Sequence, residues 1–216
     1  QHLCDMSLRS LFQSLTRRIR KGGKLIADPS LLVRKLKQQR LRRAPRYTPL
    51  TTTLLDHPTR AVDAASFLSA YRSIFEDEVY SFETSDPSPV IIDGGANVGL
   101  ATLYWKKRWP EAEIVAFEPD PQVFEVLKWN CRKHGLSDVT LIQKGLWSEE
   151  TTLRFHPDGA DAGHVGEVHD EESSNASGDE VVTIPVVRLA DYLHRPINFL
   201  KLDIEGAETE VLIDCQ

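Results

Sequence analysis

No stretch of this 216-residue chain reaches about 18 consecutive apolar residues, so a helix spanning a bilayer is not expected. Cysteine is scarce. Cys4, Cys131 and Cys215 are odd in number and far apart. No CxxC spacing is present for zinc or redox chemistry, and the three read as free thiols in a reducing compartment. The amino terminus lacks the compact apolar core and small-residue cleavage site of a secretory signal, which makes the cytoplasm the expected location. The chain also lacks an initiating methionine, as a trimmed chain would. Acidic residues are nearly missing from residues 1–46, where 13 Lys and Arg face only Asp5 and Asp28, a local net of +11. The remaining residues carry −17 within an overall −6. A basic arm on an acidic body can touch phosphate. The commoner reading of such a segment is a solvated helical face packed on the body or on a second copy, so nucleic acid is not the expected partner.

Hydrophobic content of 41% with 27% charged residues is that of an ordinary globular protein, and the length suits one catalytic-size domain plus an extension. Residues 6–20 place Met6, Leu8, Leu11, Phe12, Leu15 and Ile19 at mostly helical spacing, ended by Gly22-Gly23. A second helix is expected after Pro29. Pro45, Pro49 and the Thr51-Thr52-Thr53 run read as a connecting segment, which puts a division at 59/60 between a basic helical extension, 1–59, and the main domain, 60–216. Residues 60–76 again read as helical.

From residue 90 onward strands and helices alternate. Strands are expected at 90–93, 113–117 and 139–143, with helices at 99–108 and 121–134 between them. This pattern specifies an α/β, doubly wound, Rossmann-like parallel sheet covered on both faces. Two further strands, 151–155 and 180–187, flank a polar excursion at 156–179. A helix at 188–194, a strand at 197–203 and a helix opening near Glu205 follow.

The chemistry concentrates in a glycine-rich turn. Ile92-Asp93-Gly94-Gly95-Ala96-Asn97-Val98-Gly99 carries an apolar strand into a turn where a ligand can approach the backbone, and a helix then offers its amide-rich end. The spacing departs from G-x-G-x-x-G, which weakens a pyrophosphate reading. Asp93 weakens it further, because a carboxylate repels phosphate yet can help hold an ammonium group. About 20 residues on, Glu118 ends the second strand, where an acid can accept bonds from both ribose hydroxyls.

Together with Ala116-Phe117-Glu118-Pro119 and Leu200-Lys201-Leu202-Asp203-Ile204-Glu205-Gly206-Ala207-Glu208, this turn resembles the FkbM family of methyltransferases over about residues 60–216. Tyr80, Phe82, Asn130 and the stretch 186–193 support the resemblance. It implies a class I fold, S-adenosylmethionine as methyl donor and O-methylation of a sugar-bearing or natural-product hydroxyl, so that the partner is a small-molecule or glycan acceptor. Carried onto this chain, it implies donor contacts from Asp93, Gly94, Gly95, Ala96, Asn97 and Gly99. Glu118 and Pro119 would sit at the ribose, Lys144, Gly145, Leu146 and Trp147 at the adenine, and Asp203 would close the site. It also implies three further strands beyond the fourth, so the sheet is expected to be truncated there, with a free edge and a homo-oligomer as one way to cover it.

No general base stands out. Asp203, His164 and His169 are the candidates, the two histidines only because the polar excursion can cover the site. Glu205 and Glu208 are ambiguous, since acids in a helix's first turn are favourable without any function. His156, His164 and His169 with Asp158, Asp161 and Asp170 match no recognised metal spacing, and no metal is expected. Asn175-Ala176-Ser177 matches a glycosylation acceptor that a cytoplasmic protein would not use. Two alternatives remain: a nicotinamide-dependent oxidoreductase on a related sheet, and a non-enzymatic interaction protein acting through its basic arm.

Overall fold

The computed structural model describes residues 29–156, 164–166 and 182–216. The helix expected at 6–20, and His169, Asp158, Asp161, Asp170 and Asn175, lie outside the described residues. His156 and His164 are placed as backbone only. The chain divides into two compact units, Gln1–Leu36 and Lys37–Gln216, and the division expected at 59/60 falls inside a strand of the second.

Helix α1, Pro29–Leu41, forms where a helix was expected. The connecting segment does not. The Thr51-Thr52-Thr53 run lies in strand β1, Leu50–Leu55, which pairs antiparallel with β2, His57–Ala61. β-branched residues favour the pleated surface, and alternation buries Thr52, Leu54, Thr59 and Ala61. Asp56, at φ 71°, makes the reversal between them. Helix α2, Ala64–Tyr71, is capped by Asp63, whose side chain accepts from the N–H groups of Ala65 and Ser66. It runs on into a π-helical turn, Arg72–Glu76.

The central sheet contains β3, Val90–Gly94, then β4, Glu113–Phe117, and β5, Thr140–Ile142. Helix α3, Leu100–Arg108, links β3 to β4, and α4, Pro121–Lys133, links β4 to β5. Asp120 caps α4 by accepting from Gln122 and Val123, with Pro121 pre-set at the first turn. Strand β6, Gly145–Trp147, was not foreseen. It belongs to a second sheet with β7, Thr151–His156, β8, His164–Gly166, and β9, Val182–Arg188, in the order β6-β9-β7-β8. β7 and β9 are the two strands expected around the polar excursion. Residues 164–166 depart from the expected loop by pairing antiparallel with 154–156.

After β9 the helix expected at 188–194 is a short 3-10 turn, Leu189–Tyr192. β10, Phe199–Leu202, then enters the central sheet, and helix α5, Glu208–Asp214, follows. The order β10-β3-β4-β5 is parallel throughout. Ile91 and Ile114 face one layer with Phe67, Tyr71 and Trp105, while Ile92 and Phe117 face another with Leu146, Val187, Leu189 and Val211. Burial on both faces explains why β3 is apolar without alternation, and the architecture is the doubly wound α/β fold expected. No helix of the described residues is long and apolar enough to cross a membrane.

Candidate functional site

The glycine-rich turn is held from below by a lysine. Register places Lys201 of β10 opposite Asp93 of β3, so both side chains rise from the same face of the sheet. The buried Lys201 Nζ donates to the carbonyls of Gly94 (3.0 Å) and Gly95 (2.7 Å) and lies 3.2 Å from Asp93 Oδ1. Asp93 is fully buried, and its Oδ2 accepts from Thr102 Oγ1 at 2.8 Å. Asp93 Oδ1 has no aligned hydrogen-bond donor among the described residues, and the lysine ammonium supplies its counter-charge. The ammonium that Asp93 holds is therefore one from within the chain.

Gly95 sits at φ 73°, and a Cβ there would stand 2.0 Å from the Asp203 carbonyl oxygen. Only a residue without a side chain lets the turn lie this close to the end of β10. Asn97 follows at φ 49°, and Gly99 at φ 91° opens α3. Ala96 N–H donates to Phe117 O, and Asn97 N–H donates to Glu118 Oε2 at 2.8 Å.

Glu118 is 7% exposed. Its second oxygen accepts from Asp120 N–H at 2.9 Å. Burial pushes the carboxyl up to about 7, against the lowering effect of the two backbone donors. An acid at the end of β4 is thus tied to the turn after β3, with lone pairs left to accept further bonds.

A cavity of about 400 Å³ opens over the carboxyl ends of β3 and β10. This falls within the range of roughly 300–1,000 Å³ that holds small ligands. One wall is the turn, Gly95 to Val98, with Leu100 and Ala101. The opposite wall is α2 and its π-helical turn, including Asp63, Ser66, Ser69 and Ser73, while Tyr80, Lys201, Asp203 and Glu205 close the space. Tyr80 O–H donates to Asp203 Oδ2 at 3.4 Å. Burial first, then the Asp203 and Asp93 carboxylates, push the Tyr80 phenol up to about 12. The Asp203 side chain stays 57% exposed, 3.8 Å from the Lys201 ammonium.

Of the residues named from sequence, Tyr80, Gly95, Ala96, Asn97, Val98, Asp203 and Glu205 line this cavity; Asp93, Gly94, Gly99, Glu118, Pro119 and residues 144–147 do not. Leu146 is packed in the core beside Gly94, Gly145 lies against Val186 and Pro119, and Lys144 pairs with Glu150. Glu208 accepts from Ile204 and Gly206 N–H, a stabilising role at the start of α5.

A family model described as the methyltransferase FkbM domain matches residues 93–215, from the acid of the turn to the end of α5. This chain belongs to that family. Domains of the FkbM family take S-adenosylmethionine as methyl donor. The chain is 32% identical over 161 residues to Methyltransferase 1 of Beauveria bassiana, covering 66% of this chain and 64% of that protein. It is 35% identical over 171 residues to Methyltransferase sdnD of Sordaria araneosa, covering 66% of each. With the 31-O-demethyl-FK506 methyltransferase FkbM of Streptomyces tacrolimicus it shares 30% over 181 residues, covering 70% and 69%. The chain thus spans about two thirds of the length of these relatives.

Beside the FkbM motifs, sequence reasoning assigns no role to four residues of the site: Lys201, Ser66, Ser69 and Ser73. Lys201 stands in the sequence only as part of a motif, and the parallel register sets it beside Asp93. Ser66, Ser69 and Ser73 lie unremarked in the stretch expected to be helical, and the return of α2 over the turn brings them to the cavity. The sequence signal for Lys201 was a lone cation inside the apolar run Phe199-Leu200-Lys201-Leu202, since a charge within a buried strand requires a partner.

Proposed function

We propose that this chain is an S-adenosylmethionine-dependent methyltransferase acting on the hydroxyl oxygen of a small-molecule or glycan acceptor. The observation that carries the reading is the cavity walled by Gly95, Ala96 and Asn97 at the carboxyl ends of parallel strands, where open α/β sheets bind their ligands. When bound, the donor supplies a methyl group activated on a sulfonium. The chain's residues position it. Gly95 to Asn97 offer a bare backbone wall for the methionine portion, and the Lys201–Asp93 pair keeps that wall from moving. Glu118 accepts from the ribose hydroxyls, Pro119 and residues 144–147 border the adenine, and Gly99 starts the helix whose positive end faces the site. The hydroxyls of Ser66, Ser69 and Ser73 suit a polar acceptor entering from the α2 side. A relative named for the 31-O-demethyl form of FK506 supports oxygen as the receiving atom.

Isothermal titration with S-adenosylmethionine, S-adenosylhomocysteine and NAD tests the donor assignment. Binding of the first two is expected, and binding of NAD alone would replace this reading with an oxidoreductase. Methyl-labelled donor incubated with panels of hydroxylated glycosides and phenols tests the acceptor class. Label appearing on nitrogen or sulfur acceptors only would sink the O-methylation assignment.

A further inference from the structure

We infer that Asp203 is the counter-charge for the donor's sulfonium, held in place by Tyr80, and that it sets the preference for the charged donor over the neutral demethylated product. The inference rests on the donor reading above. Among the described residues, five ionisable side chains border the cavity: Asp63, Tyr80, Lys201, Asp203 and Glu205. Three contribute little charge to its interior. Both oxygens of Asp63 are consumed by the N–H groups of Tyr47, Ala65 and Ser66, the Ser66 hydroxyl and the Arg46 guanidinium. The Lys201 ammonium donates to Gly94 O and Gly95 O, and the buried Asp93 carboxylate, 3.2 Å away, offsets its charge. Tyr80 holds its proton and is neutral.

Lys201 stands between the Asp93 and Asp203 carboxylates, 3.2 and 3.8 Å away, so these three groups together leave one net negative charge, on the half-exposed Asp203 where the turn comes closest to β10. Asp203 is fixed against the turn by its backbone: its N–H donates to Gly94 O, and its carbonyl fills the space a Gly95 side chain would need. Among the described residues the Tyr80 hydroxyl is the one hydrogen-bond donor to the Asp203 carboxylate, and it occupies Oδ2. Donor and product share the adenosine, the ammonium and the carboxylate. They differ by one methyl group and the positive charge on sulfur, so a carboxylate at this wall discriminates between them by Coulomb attraction, and water at a half-exposed group keeps the effect moderate.

The test uses the full chain and titrates S-adenosylmethionine and S-adenosylhomocysteine into wild type, Asp203→Asn, Asp203→Glu and Tyr80→Phe at low and high salt. For Asp203→Asn, the Kd for S-adenosylmethionine should rise about three- to tenfold relative to that for S-adenosylhomocysteine, which should stay within about twofold. Asp203→Glu should restore most of the preference, and Tyr80→Phe should lose part of it. The wild-type preference should shrink as salt rises. Thermal unfolding of each variant checks that the fold is kept. Equal weakening of both ligands, or no change in their ratio, would overturn the role of Asp203 while leaving the donor site intact. Wild type binding neither ligand would overturn the donor reading itself, and this inference with it.

Discussion

Glu118 shows how one buried carboxyl can serve both the fold and a ligand. Its two oxygens accept from Asn97 and Asp120, so the acid that ends β4 also steadies the turn after β3. Burial lifts the group from 4.5 to about 7. Because the folded chain then holds a proton more tightly than the unfolded chain, this group's stabilising contribution is fully present below about pH 4.5 and is lost as the pH rises through about 7. The size is at most on the order of 3 kcal/mol. Glu118→Gln should remove that slope from urea unfolding measured between pH 5 and 8, and an unchanged slope would assign it elsewhere. Ribose hydroxyls bond best to the ionised form. Donor affinity should accordingly improve from pH 6 to 8, and Glu118→Ala should weaken it by at least about tenfold at pH 8, as read by titration calorimetry.

At the scale of elements, the turn between β3 and α3 is defined by what it cannot contain. A Cβ on Gly95 would meet the backbone of Asp203 at 2.0 Å, and neither strand can retreat without breaking the β10–β3 register. Gly206, at φ 100°, has nothing within 4 Å of the same imagined atom. Gly95→Ala should abolish measurable donor binding and cost several kcal/mol of stability. Gly206→Ala should cost only the left-handed strain of about 1–2 kcal/mol and leave donor binding in place. Equal effects in thermal unfolding and titration would mean the steric argument is wrong. The turn was readable because glycines after an apolar strand have few other uses, and β3, β4, α3 and α4 were readable because a strand buried on both faces and an amphipathic helix leave distinct patterns. β6 was not. Gly145–Trp147 is three residues long and too short for any period, and its partner is Val186–Arg188, so only tertiary pairing makes it a strand. The β1–β2 hairpin was hidden differently, because Pro45 and Pro49 ahead of the threonines read as loop signals and outweighed the β-branched run that in fact forms the strand. The short 3-10 turn at Leu189–Tyr192 resembles a helix in sequence because one turn of either buries the same kind of residue.

For the molecule as a whole, the site depends on parts far apart in the chain. Asn130, fully buried on α4, accepts from Arg60 N–H at 2.7 Å and donates to Arg60 O and Val98 O at 3.0 and 2.8 Å. One amide thus joins the β1–β2 hairpin to the turn that walls the cavity, and Thr59 adds a bond to His134 at the end of α4. Removing the hairpin would leave the Asn130 amide and the Val98 carbonyl in an opened core, each unsatisfied group costing about 1–3 kcal/mol. The cavity lining, by contrast, begins at Ala61, and the compact unit that holds it begins at Lys37. We therefore propose that the domain boundary lies ahead of the hairpin and not at 59/60. A chain lacking residues 1–28 should bind S-adenosylmethionine within about twofold of the full chain, since the described residues that line the cavity run from Ala61 to Glu205. A chain lacking residues 1–61 should unfold at markedly lower temperature and bind the donor weakly or not at all. Should the shorter deletion abolish donor binding, the basic arm would be part of the site, and should the longer one bind normally, the clamp at Asn130 would be dispensable and the division at 59/60 would stand.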